Sequence, residues 1–217
     1  MRAVSLEQWT KVLSSFGGRD KLALLVFSIT RFNRGALKQS AVVDALGSAT
    51  AAEWHRKNEG MFFALADARR VFRFLSSIPA LLKLKKALEG AQPWGASNQG
   101  MYIATQALLA AWCIPDHLRY LVQMKFFGTA DDKVFFHLTA LRTLCVAKIL
   151  MLVVAVRRYA SGNASRRAVF AAALGVLTIG HAGKFPGLVT SDMTAGATGT
   201  VGAWIAIQDA WPKSKAP

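Results

Sequence analysis

The sequence predicts an all-α, membrane-associated helical bundle, with amphipathic helices in the N-terminal half and a C-terminal hydrophobic helical hairpin. Three observations carry the prediction. Apolar residues recur at helical spacing through the 217 residues, while no two alternating runs are joined by an Asn-Gly or Asp-Gly turn. Hydrophobic residues make up 53% and charged residues 18% of the chain, with a mean hydropathy of +0.30, whereas soluble domains carry roughly 25% charge. Finally, 27 Lys and Arg against 12 Asp and Glu leave a formal charge of +15, a surplus that needs an anionic partner.

The choice of partner follows from where the charge lies. A nucleic-acid binder places basic residues on a polar surface with stacking aromatics. Here they stand beside apolar, Gly-rich segments, so an anionic phospholipid membrane is the expected partner and no nucleic acid is expected. Met1–Asp20 lacks the continuous apolar run of a secretory signal. Cys113 and Cys145 lie in apolar contexts and read as buried thiols rather than a disulfide.

Taken in order, a short helix is expected over Leu6–Phe16, stopped by Gly17-Gly18. A long helix then opens near Arg19-Asp20-Lys21, with Asp20 suited to a first turn. Leu22, Leu25, Val26, Ile29, Phe32 and Ala36 form its apolar stripe, and Lys21, Arg31, Arg34 and Lys38 its solvated basic face. Ala51–Ser77 reads as another long helix, kinked or stopped by Pro79. Its stretch from Leu65 to Ile78 places Val71, Phe72, Phe74, Leu75 and Ile78 on one side and Arg69, Arg70 and Arg73 on the other, as a helix lying in a headgroup layer requires. The same spacing fits a bundle helix whose arginines face water. A shorter segment, Ala80–Glu89, sets Leu81, Leu84 and Leu88 opposite Lys83 and Lys86.

Beyond Gly90 and the Gln92-Pro93-Trp94-Gly95 break, Met101–Ile114 is apolar, with a break at Pro115, and Leu118–Phe127 continues the pattern. Asp131-Asp132 starts a long helix running through Tyr159. Arg142 and Lys148 favour packing or an interfacial position for it over a clean span, since a mid-bilayer cation costs roughly 2.5–3.5 kcal/mol. Ala168–Gly183 and Thr194–Ile207 are uncharged apart from His181, and both fall short of the roughly 20 residues of a full span. They suit a hairpin entering and leaving on one side, with basic ends in the cytosol. Ala195, Gly199 and Ala203, with Gly202 and Ala206, recur every fourth residue and would let chains associate closely in lipid. The expected organisation is therefore an amphipathic region at 1–90, a linker with apolar helices at 91–130, and a membrane-anchoring region at 131–217.

Three stretches resemble the peroxin-eleven family of peroxisomal membrane proteins. They are Gly18-Arg19-Asp20-Lys21 with Thr30-Arg31-Phe32, then Ala68-Arg69-Arg70-Val71-Phe72-Arg73-Phe74-Leu75 with Leu81-Leu82-Lys83, and the tail Ile205-Ala206-Ile207-Gln208-Asp209-Ala210-Trp211 with Lys213. The resemblance implies a helical protein of the peroxisomal membrane, or of a related microbody such as a glycosome, with cytosolic termini. It implies binding and elongation of the membrane through the Leu65–Ile78 helix, self-association, recruitment of the fission machinery, and hence organelle proliferation. Some family members are proposed to form metabolite pores, and Arg142, Lys148 and His181 would suit that alternative.

No enzymatic site is expected. His55, His117, His137 and His181 are scattered, without metal-ligand spacing to Cys or acidic partners. There is no phosphate-binding loop or dinucleotide fingerprint, and Asp131-Asp132 reads as a helix start. No cofactor and no metal are implied.

Overall fold

The computed structural model describes residues 13–73 and 77–210. Among them every regular element is helical: α1 (Phe16–Ala36), α2 (Ser40–Leu46), α3 (Ser48–Phe72), α4 (Ser77–Leu88), α5 (Gln99–Ala111), α6 (Cys113–Gln123), α7 (Ala130–Ala160), α8 (Arg166–Ala182) and α9 (Asp192–Ala210), with a 3-10 turn at Ala96–Asn98. The all-α class stands. Two compact units form among the described residues, one from those up to Arg73 together with those from Ser191 onward, and one from those in between. This division differs from the sequential one at 90 and 130, because α9 returns to the first helix.

In the first unit α1 packs against both α3 and α9. Asn33 reaches Asn58 and Phe27 stacks on Phe62, so α1 and α3 run antiparallel. Gly35 lies beside Met193 and Phe32 beside Gly196, so α1 and α9 also run antiparallel. The approach is close: a Cβ on Gly35 would stand 2.5 Å from the Met193 backbone nitrogen, and one on Gly196 2.3 Å from that of Phe32. Ala195, Gly196, Gly199, Ala203 and Ile207 are buried, while Gly202 and Ala206 are half-buried. The small-residue face expected to join separate chains thus includes residues packed within this one. Small side chains allow two backbones to approach wherever the partner comes from, and α1 supplies it.

The same packing corrects the expected hairpin. α9 lies along α1, whereas α8 lies along α7 in the second unit. The α8 surface is already fitted there, since a Cβ on Gly180 would meet Leu188 at 2.6 Å and one on Gly183 would meet Leu141 at 3.2 Å. The second unit also packs α5 on α4 and both α5 and α6 on α7, around Trp112, Cys113, Leu144, Leu109 and Ile179. Cys113 and Cys145 are buried free thiols.

Several boundaries move for identifiable reasons. The expected Leu6–Phe16 helix falls mostly outside the described residues. Gly17-Gly18 does not stop a helix but lies inside α1, whose start is set by Ser15: its side chain accepts from the Gly18 amide at 2.9 Å. Pro79 and Pro115 were expected as breaks, yet each is the third residue of a helix, α4 and α6 respectively. First-turn amides have no carbonyl partner within the helix, so a proline there loses nothing. The helix expected to run to Ser77 ends at Phe72. In α7 the acidic start is as expected: Thr129 caps it, its hydroxyl oxygen accepting from the Asp132 amide at 3.3 Å while Asp132 Oδ2 accepts from the Thr129 amide at 2.7 Å.

Candidate membrane interface

The first unit uses five of its arginines internally, Arg31, Arg34, Arg69, Arg70 and Arg73. Arg69 Nε donates to Asp20 Oδ1 at 2.9 Å, and Arg73 Nε lies 3.9 Å from the same oxygen while donating to the Arg69 carbonyl at 3.0 Å. Arg70 is buried and bonded to Asp67, one turn earlier. The arginine side of α3 is therefore its packed side. The reason is the antiparallel fit, which sets Asp20, the fifth residue of α1 and so just past the first turn expected for it, against the cationic last turn of α3. Val71 is exposed and Phe72 half-buried, whereas Phe74 and Leu75 lie outside the described residues. The continuous lipid-facing helix expected over Leu65–Ile78 is therefore corrected: it ends at Phe72, and Ile78 belongs to the next helix, α4.

Arg31 and Arg34 are corrected likewise, from a solvated face to the interior of the unit. Arg34 stands 4.5 Å from the Phe62 ring centroid and Arg31 5.4 Å, and Arg69 lies 5.5 Å from that of Phe27. Arginines thus flank the Phe27–Phe62 stack, a favourable cation–π arrangement. Asp192 receives both Arg34 (2.7 Å) and Arg31 (3.3 Å). Burial pushes the Arg31 guanidinium below its ordinary pKa, while Asp192 pulls it back up. Ile29 and Phe32, expected in the apolar stripe, are exposed instead.

α4 carries an outward-facing combination of apolar and basic residues. Ala80 and Ala87 are its buried contacts. Ile78 (47% exposed), Leu81 (51%), Leu82 (55%) and Leu88 (69%) project into water, with Lys83, Lys85 and Lys86 also exposed. Lys85 is 3.7 Å from Glu89, an exposed pair of little energetic weight. Leu81, Leu84 and Leu88 were expected opposite Lys83 and Lys86; Leu81, Leu88 and both lysines are exposed, whereas Leu84 is half-buried. The sequence signal was the low amount of Ala in the outer face against Ala80 and Ala87 in the inner one.

Among the described residues α7 is long and apolar enough to cross a membrane by length and composition. Of the residues suggested for a pore, Arg142 Nε donates to the Gly183 carbonyl at 3.3 Å and His181 Nδ1 accepts from the Thr190 amide at 3.2 Å. Both are used within the second unit. Among the described residues no group of three or more His, Cys, Asp or Glu is placed to hold a metal ion. No protein-family model, curated protein or solved structure matches the chain.

Proposed function

We propose that this chain binds and curves an anionic bilayer, as a peroxisomal or related microbody membrane protein that elongates the organelle and promotes its proliferation and fission. The outward face of α4 carries the proposal. Four large apolar side chains in water, on a helix that also exposes three lysines, are what an interfacial helix presents to lipid. Each lysine near an anionic leaflet contributes about 1 kcal/mol, within roughly a Debye length. A helix inserted at the headgroup level enlarges one leaflet relative to the other and so favours positive curvature. α7, 31 residues long, would extend about 46 Å at 1.5 Å per residue and supplies an anchor candidate. The resemblance to the peroxin-eleven family supplies the organelle.

The test uses the full chain and vesicles of phosphatidylcholine with or without phosphatidylserine. Salt-sensitive binding and tubulation of the anionic vesicles are expected, lost in Lys83→Glu/Lys85→Glu/Lys86→Glu. Equal binding to neutral vesicles, or no effect of the triple variant, would overturn the reading. A fluorescent fusion outside peroxisomes or glycosomes would remove the organelle assignment, and a conductance in planar bilayers would favour the pore alternative.

A further inference from the structure

The turn between α7 and α8 carries a second cationic surface, built differently from that of α4. Arg157 and Arg158 close α7, Arg166 and Arg167 open α8, and the residues between them are uncharged. No Asp or Glu stands between Asp132 and Asp192, so neither the turn nor α8 contains a carboxylate. Arg157 and Arg158 suit the negative end of a helix. Arg166 and Arg167 do not suit theirs: the first turn of α8 already presents positive amide groups, and a bound anion would relieve the repulsion.

The chemistry of the two surfaces also differs. α4 presents lysines, which are compact, strongly hydrated charges that meet any anionic surface. The α7–α8 turn has only arginines, whose planar fork matches two phosphate oxygens at once. One of these forks is held in place, with Arg166 Nε donating to the Tyr159 hydroxyl at 3.0 Å. Beside it, Tyr159, Val169, Phe170 and Ala173 line a shallow apolar groove of about 420 Å³, with Arg166 on its rim. A free phosphate has no use for such a groove, whereas the glycerol and first acyl carbons of a lipid do.

The start of α5 connects the C-terminal ends of α4 and α7. Gln99 Nε2 donates to the carbonyls of Ala87 (2.8 Å) and Ala91 (3.0 Å), tying the end of α4 to the start of α5. Met101, two residues on, has its sulfur 4.0 Å from Arg157 Nη1. Arg157 therefore stands near the C-terminal end of α4, the helix that carries the lysines.

We propose that the α7–α8 turn is a binding site for a phospholipid whose headgroup carries phosphomonoester groups, with phosphates on Arg157, Arg158, Arg166 and Arg167 and the glycerol end over Tyr159 and Phe170. The proposal rests on the membrane-binding reading and adds a headgroup preference to it.

Flotation of the full chain tests it, with phosphatidylcholine vesicles containing either phosphatidylserine or a bisphosphorylated phosphoinositide at matched total charge. The phosphoinositide vesicles are expected to bind about tenfold more tightly. Arg157→Gln/Arg158→Gln/Arg166→Gln/Arg167→Gln should lose that preference while keeping the phosphatidylserine binding given by α4. If its helicity by circular dichroism falls, the pairs Arg157→Gln/Arg158→Gln and Arg166→Gln/Arg167→Gln serve instead. Equal wild-type binding to the charge-matched vesicles would overturn the headgroup site and leave the membrane reading standing. A preference retained in a folded variant would overturn it too, as would soluble inositol trisphosphate competing as tightly as the lipid does. Failure to bind any vesicle would remove both proposals together.

Discussion

Arg34 Nη2 lies 2.7 Å from Asp192 Oδ2, joining the last turn of α1 to the first residue of α9 across 158 positions of chain. Arg31 approaches the other oxygen of the same carboxylate at 3.3 Å. Both guanidinium groups are mostly shielded from water, so removing the carboxylate leaves two covered cations facing each other. Asp192→Ala is expected to loosen the α1–α9 contact by roughly 2–3 kcal/mol. Amide hydrogen exchange should quicken in α1 and α9 and stay unchanged in α8.

Gly196→Ala separates backbone approach from helix propensity. Alanine favours a helix over glycine by about 1 kcal/mol, yet its Cβ would stand 2.3 Å from the Phe32 nitrogen. Crowding against backbone should win, giving a net loss of about 1–3 kcal/mol. Gly100→Ala in α5, where a Cβ meets nothing within 4 Å, is the control expected to be neutral or stabilising.

Asp20→Asn tests which way the α3 arginines face. The substitution removes the charge partner of Arg69 and Arg73, and roughly 1–2 kcal/mol of stability should go with it. The loss is expected without any vesicle present, as faster exchange in α1 and α3. Unchanged exchange would return these arginines to the lipid-facing role that the sequence suggests.

Leu81→Ser/Leu82→Ser should separate binding from folding. Both side chains are about half exposed, so unfolding should shift by less than about 0.5 kcal/mol. Affinity for anionic vesicles should fall at least about tenfold, since a buried leucine is worth roughly 1.5–3 kcal/mol. Co-sedimentation of the variant beside wild type measures it.

The Glu53 carboxyl should titrate below the usual glutamate range, because Lys57 Nζ donates to it at 2.6 Å one turn away. A carboxyl whose pKa is depressed by folding contributes stability above its unfolded value, and loses it as pH falls through the folded one. Lys57→Met should therefore raise the Glu53 midpoint in an NMR titration and remove that acid-side contribution.

The class of the fold and most helix positions were legible because apolar spacing and capping are local. Thr129 and Asp132 announce the start of α7, and Ser15 could have announced that of α1. Proline was over-read: Pro79 and Pro115 each follow Ile at the second position of a helix, where the ring is tolerated. What spacing could not supply was the partner of each face. Asp20 reads as a first-turn acid, and nothing local says that Arg69, 49 residues on, is what it meets. Nor does amphipathic spacing say which side faces inward, and in α3 the arginine side does. The proposed lipid-facing surface consequently moves from Arg69, Arg70 and Arg73, which are packed, to α4, whose apolar side chains are exposed.

The return of α9 to α1 has a consequence for how the protein is made. At roughly 5–20 residues per second, α9 leaves the ribosome many seconds after α1. The second unit is continuous in sequence and can finish folding in that interval. Meanwhile α1 waits without Asp192 beside Arg31 and Arg34 and with the surface at Gly35 uncovered, which makes it a natural client for a chaperone. Release of a foldable N-terminal helix is thus timed by synthesis of a segment far downstream, and a nascent chain stalled between them should be held, aggregate or be degraded.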